Sequence, residues 1–205
     1  MSDPESPLAQ TLARIDELCT VTGKVRDELL NVESLARATG LSPTEVQLLL
    51  LGGTPPELDP DVRVRMRVRL LYERDDETSR EIRDIAAGIG QTTTWTKKLV
   101  EGDAKPNLVV GHRLAKYYGV APTFLTDPPA EALNRELQPI LVDLEIEADP
   151  GKTLADLGLR HIARRNPHME QPNLVELAKM VAGIVNDLNK VTTTLQQLQE
   201  PEENR

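Results

Sequence analysis

Residues 32–58 read VESLARATGLSPTEVQLLLLGGTPPEL and residues 82–108 read IRDIAAGIGQTTTWTKKLVEGDAKPNL. The two stretches are one pattern written twice, 50 positions apart and without a gap. Val32, Leu35, Ala36, Gly40, Ser42, Thr44, Val46, Leu49, Leu50, Gly52, Pro56 and Leu58 fall on Ile82, Ile85, Ala86, Gly90, Thr92, Thr94, Thr96, Leu99, Val100, Gly102, Pro106 and Leu108. Each copy reads as a short helix, a glycine turn, a second helix and a glycine stop, the outline of a helix-turn-helix. The copies differ where chemistry would sit: Glu45, Gln47 and Leu48 of the first become Trp95, Lys97 and Lys98 in the second.

Local signals extend this pattern in both directions. Leu8, Leu12, Ile15 and Leu18 recur at helical spacing and predict a helix over 8–20, followed by a polar connection over 21–31. Gly40 reads as a C-cap, Ser42 as the next N-cap and Pro43 as the first helical residue. Residues 59–74 alternate Val62, Val64, Met66, Val68 and Leu70 with Arg63, Arg65, Arg67 and Arg69, a strand period. No partner strand or hairpin turn flanks the run, and Val64, Val68 and Leu71 also make a helical stripe, so a helix is expected. The arginines then read as a solvated helix face. Ser79 is the expected cap of a helix to Gly88, Thr92 of one ending at Gly102, and Asn107 of one ending at Gly119. Thr126–Pro129 marks a boundary. Residues 130–148 read as a helix kinked or broken at Pro139, and 154–165 as a shorter one.

Beyond these, Leu174, Leu177, Val181, Ile184, Leu188, Val191, Leu195 and Leu198 alternate spacings of 3 and 4, a heptad seam. A helix over 173–199 would be about 40 Å long at roughly 1.5 Å per residue. The narrow seam points to pairing with a second subunit; packing on its own domain is the alternative.

Bulk properties narrow the function. The 205 residues are 39% apolar and 2% aromatic, which suits small helical domains built from Leu, Val, Ile and Ala. A lone cysteine, Cys19, excludes an internal disulfide. No secretory leader or membrane-length apolar run is evident, so a cytoplasmic protein is expected. Net charge is −9, but residues 61–118 carry +3 between flanks of −6 each. The only basic third therefore holds the second copy, where nucleic acid would be met.

A recognition helix places short polar and basic side chains in the major groove. Thr92, Thr93, Thr94, Trp95, Lys97 and Lys98 supply them if Thr96 and Leu99 face inward. Threonine can hydrogen-bond a base edge or pack its methyl on thymine, and lysine can reach guanine or phosphate. Trp95 is equally a core residue. Lys105, past the glycine stop, is placed for the DNA backbone. The start of the Ser79-capped helix, with Arg80 or Arg83, could hold a phosphate, although pairing with neighbouring acids is the alternative for both arginines.

Residues 86–90, Thr92–Gly102, Lys105-Pro106-Asn107 and Leu114–Val120 together resemble the Cro/cI (XRE) class of helix-turn-helix domains over residues 60–127. Tyr118–Asp127 resembles the actinobacterial branch, which includes mycobacterial nucleoid-associated regulators of secretion genes. The resemblance implies DNA-facing residues at 93, 94, 97 and 98, a phosphate contact at 105 and C-terminal dimerisation. Two departures stand out. Thr96 occupies a position usually given to an aliphatic residue. The first copy has lost its basic edge, and Glu45 there would repel phosphate.

Catalysis finds no support. Gly151-Lys152-Thr153 lacks the first glycine and the preceding strand of a phosphate loop, and His112, His161 and His168 have no metal spacing. The expectation is an all-α protein without metal or cofactor and not an enzyme: a degenerate helix-turn-helix unit over 1–58, a DNA-binding unit over 59–127 and a helical dimerisation region over 128–205. It would bind double-stranded DNA as a homodimeric, nucleoid-associated transcriptional regulator, with a possible protein partner for the N-terminal unit. The alternative is an adaptor or antitoxin-like scaffold that uses the same folds to hold a protein.

Overall fold

The computed structural model describes residues 6–73, 81–152 and 175–184. Every regular element among them is helical, so the fold is all-α. In chain order these are α1 (Pro7–Thr22), α2 (Arg26–Leu29), α3 (Val32–Thr39), α4 (Pro43–Leu50), α5 (Pro60–Glu73), α6 (Ile82–Ile89), α7 (Thr93–Glu101), α8 (Leu108–Tyr118) and α9 (Pro129–Ala148). A helix also starts at 150, capped by Asp149, whose Oδ1 accepts the Lys152 N–H at 2.8 Å; another covers 175–184. By compactness the chain divides into Met1–Leu12 with Leu30–Leu137, and Ala13–Leu29 with Gln138–Arg205.

The first unit contains both copies of the repeat. Gly40 ends α3 and Gly90 ends α6 at the same left-handed φ of 69°, each donating its N–H back to the alanine four residues earlier. Only glycine takes this conformation without strain. Ser42 and Thr92 then cap α4 and α7. Burial runs in step: Leu35 and Ile85, Ala36 and Ala86, Thr39 and Ile89, Val46 and Thr96, Leu49 and Leu99 are all buried. The sequence repeat is thus a repeat of local structure and of inward-facing positions.

Around the second pair, Val68 and Leu71 of α5, Ile85 and Ile89 of α6, Leu99 of α7, Val110 and Leu114 of α8, and Phe124 and Leu125 form one apolar cluster. Tyr72, Trp95, Tyr117 and Tyr118 pack on its edge, so all five aromatic residues of the chain gather here. An aromatic-poor chain spends its few large rings on the one cluster that carries α7.

α5 is a helix, capped by Asp59, whose Oδ1 accepts the N–H groups of Asp61 and Val62. Its arginines do not form one solvated face. Arg65 and Arg69 are exposed, but Arg63 and Arg67 turn inward. The Arg67 side chain is 1% exposed. Its Nη1 donates to the carbonyls of Phe124 (2.6 Å) and Asp127 (2.8 Å), and its guanidinium carbon lies 5.7 Å from the Phe124 ring centre. Arg63 donates to the carbonyls of Thr126 and Leu58. Residues 63 and 67 lie one helical turn apart, on the flank that also carries Val64, Val68 and Leu71, so the same helix sends two arginines inward and two outward.

Three other expectations change. The polar connection contains the short α2. The cap of α6 is Glu81, which makes no side-chain capping bond; Ser79 lies outside the described residues. α9 runs through Pro139, which is exposed, without the break the proline allowed for.

In the second unit, Glu147 of α9 accepts from Lys24 Nζ (2.5 Å) and Lys179 Nζ (3.0 Å), tying the end of α9 to the turn after α1 and to the helix over 175–184. On that helix Ala178 is fully buried, and Val175, Leu177, Val181 and Ala182 pack with it against Ile146. Of the heptad seam, Leu177 and Val181 therefore pack within the unit and Ile184 is exposed; Leu174, Leu188, Val191, Leu195 and Leu198 lie outside the described residues.

Two predictions follow from these contacts. Replacing Arg67 with alanine leaves two buried carbonyls unpaired and a cavity beside Phe124. This should cost about 3 kcal/mol in urea unfolding, with Arg67→Lys recovering part of it. A loss below about 1 kcal/mol would mean that other donors take over the carbonyls. The hydrogen bonds from Lys24 and Lys179 hold the Glu147 carboxyl below its ordinary value of 4.5. Its contribution to stability is therefore present above that pH and lost as pH falls through the lowered value. Thermal melting from pH 6 to pH 3 should show a smaller acid loss in Glu147→Gln than in the parent chain.

Candidate nucleic-acid interface

α7 begins where Thr92 Oγ1 accepts the Trp95 N–H at 3.3 Å, and it ends at Gly102 in the left-handed region (φ 86°). Between these stops the helix has two faces. Thr96, Leu99 and Val100 are buried; Thr93, Thr94, Lys97, Lys98 and Glu101 are exposed. This is the division expected from the sequence. Trp95 is half-buried and packs on the apolar cluster, the core role that was its alternative reading.

Position 95 also shows how the copies diverged. Its counterpart Glu45 does not face outward toward an imagined phosphate. It is half-buried and folds back on Ser42: Glu45 Oε2 accepts from the Ser42 N–H (2.8 Å) and Oγ–H (2.7 Å), while Ser42 Oγ accepts the Glu45 N–H (3.2 Å). This reciprocal capping box stabilises the start of α4. In the second copy Trp95 gives up that box for a place on the aromatic cluster.

Every basic side chain expected at the interface, apart from Lys98 and the undescribed Arg80, keeps company with a carboxylate. Lys97 Nζ lies 3.8 Å from Glu101, one turn along α7. Lys105 Nζ reaches Asp61 at the start of α5, 2.6 Å away, and this bond holds the Asp61 carboxyl below its ordinary value. Arg83 is 4.0 Å from Glu81. The start of α6 thus has an acid at its cap, which opposes the phosphate pocket expected there. Arg69 pairs with Glu73 (2.6 Å), and both line, with Tyr72, Ile82, Lys97, Val100 and Glu101, an open groove of about 420 Å³ between α5, α6 and α7.

The sequence did not point to Asp61, because its partner is 44 residues away. It also did not point to Arg113, whose Nη1 donates to the Ile89 carbonyl at 3.4 Å and lies against Gly90. A side chain at Gly90 would place its Cβ 2.6 Å from that nitrogen, the movable end of a long side chain, so the left-handed φ rather than space is what calls for glycine in this turn.

Thr96 is fully buried, and its Oγ1 has no hydrogen-bond partner. Val46 fills the same place in the first copy without a polar atom. A buried unpaired hydroxyl costs roughly 1–3 kcal/mol.

Among the described residues no cluster of His, Cys, Asp or Glu is arranged to hold a metal ion, and no helix is long and apolar enough to cross a membrane. Comparison of the chain with protein-family models, with curated proteins and with solved structures finds no match.

Thr96→Val should raise stability by about 1 kcal/mol and lift the melting temperature while leaving the exposed edge of α7 unchanged. An unchanged or lower melting temperature would show that the hydroxyl is satisfied in solution.

Proposed function

We propose that this protein binds double-stranded DNA as a homodimeric transcriptional regulator of the Cro/cI (XRE) type, acting at the nucleoid in the cytoplasm, with α7 in the major groove. The observation that carries the reading is the two-faced α7. Its inner side is anchored in the apolar cluster that gathers the aromatic residues, and its outer side offers Thr93, Thr94, Lys97 and Lys98 to solvent. Nine residues make a helix of about 14 Å, a rod that a major groove roughly 12 Å wide accepts from its end. The side chains are of the kinds that read base edges and phosphates. Leu177 and Val181 pack within their own unit, so pairing of two chains is proposed from the sequence alone, through the heptad positions Leu188, Val191, Leu195 and Leu198, and would present two copies of α7 to two half-sites.

A second reading is favoured by one observation. Where α7 carries Lys98 and Glu101, the first copy has Leu48 on α4 and Leu51 at its C-cap, which are 38% and 76% exposed. An exposed apolar edge of this kind suits a protein partner more than a phosphate backbone, as in an adaptor or antitoxin-like scaffold.

The deciding experiment is retention of genomic fragments on the purified protein, repeated with Lys97→Glu and Lys98→Glu together. Enrichment of a motif in two spaced half-sites is expected. The charge reversal should abolish retention with helicity and oligomeric state intact, and retention should weaken steeply with salt. No enrichment over input, or enrichment untouched by the reversal, overturns the reading and turns attention to protein partners of α4.

A further inference from the structure

The acids beside α7 are as informative as its lysines. Arg83, Lys97, Lys98 and Lys105 would give a strongly attractive edge, but Glu81, Glu101 and Asp61 accompany three of them. In the adjoining groove Arg69 is matched by Glu73 in the same way. We propose that Glu101 and Asp61 are specificity-determining residues, which hold Lys97 and Lys105 in internal ion pairs and thereby subtract from the affinity for DNA of arbitrary sequence. The inference rests on the DNA-binding reading given above.

Non-specific binding is almost wholly the release of counterions by cations meeting phosphates. A lysine already beside a carboxylate gains little on exchanging it for a phosphate: Lys105 would trade one charge-assisted hydrogen bond for another, and Lys97, 3.8 Å from Glu101, one coulombic partner for another. The displaced carboxylate then stands close to the phosphate and repels it. On arbitrary DNA nothing offsets this. On a matched site the base-edge contacts of Thr93 and Thr94 add to the sum, so the acids lower both affinities but raise their ratio. Both pairs lie toward the C-terminal end of α7, away from Thr93 and Thr94: Glu101 is on its last turn, and the Lys105–Asp61 bond fastens the loop after it to the start of α5. Lys98 is the cation of α7 with no carboxylate at ion-pair distance among the described residues. It is therefore the one that meets phosphate without competition.

The test uses the full chain with Asp61→Asn and Glu101→Gln together, titrated against a random-sequence DNA duplex over a range of salt concentrations. Thermal melting serves as the check on folding. Relative to the parent chain, the double variant should bind about tenfold more tightly, a few-fold for each pair released, and the slope of log affinity against log salt should steepen by about two ions. A variant weakened only in structure would not steepen that slope. Parent binding with no gain and no change of slope in the variant overturns the inference and leaves the DNA-binding reading intact. If neither protein binds the duplex or any genomic fragment at low salt while both melt cooperatively, the reading itself falls, and the inference with it.

Discussion

One buried guanidinium determines how the first unit is built. Arg67 reaches from α5 to the segment that follows α8, where it satisfies the carbonyls of Phe124 and Asp127 and lies across the Phe124 ring. Burial, with Arg63 and Arg135 nearby, pushes its pKa down to about 10, and Glu45 of α4 opposes the shift. The group stays charged at neutral pH, and a buried charge is tolerated only when it is bonded. Its Nη2 nevertheless has no acceptor, so the arrangement is not fully satisfied. What it fixes is position. A Cβ at residue 40 would stand 2.8 Å from Phe124 Cζ and 3.3 Å from Arg67 Cγ, so the turn between α3 and α4 requires glycine for space as well as for conformation.

That constraint gives the first copy of the repeat a reason to persist without a basic edge. Its turn walls in Arg67 and Phe124, and Glu45 supplies a favourable charge to the arginine while capping α4. The second copy has no such duty and places an aromatic at the same register. Divergence between the copies is therefore not simple decay. Position 45/95 passes from cap to core, 46/96 from a satisfied apolar residue to an orphaned hydroxyl, and 48/98 from an exposed leucine to an exposed lysine.

Most of the helices were legible because the signals that make them are local. Glycine at a left-handed stop, Ser, Thr or Asn before a helix, and apolar residues at 3 and 4 act within one or two turns, and they place α3, α4, α7 and α8. What escaped the sequence is non-local. The alternation over 62–70 does not tell an inward arginine from an outward one, because the acceptors of Arg67 lie 57 and 60 residues away. The Lys105–Asp61 bond spans 44 residues. The residue at the cap of α6 is Glu81, which makes no side-chain capping bond and carries no capping signal that the sequence could show. Pro139 warned of a kink or break, and the helix nevertheless continues across it. For the candidate interface, the inward and outward faces of α7 were readable from periodicity, whereas the carboxylates that compensate its lysines were not.

The same contrast separates what is rigid in α7 from what is adjustable. Its backbone is fixed by a cap at Thr92, a stop at Gly102 and the docking of Trp95 and Leu99 on the aromatic-rich cluster. The buried Thr96 hydroxyl weakens that anchorage without unseating it. Lys97 and, beyond the stop, Lys105 sit in exposed pairs, each worth at most about 1 kcal/mol, which side-chain rotation alone can open. A ligand that meets this face therefore need not reshape the helix; it has only to outcompete Glu101 and Asp61 for cations whose main-chain positions are already set. On the proposed DNA-binding reading, selectivity would reside in the competition at the lysines and in the threonines between the cap and the first of them, with the fold holding that short edge still.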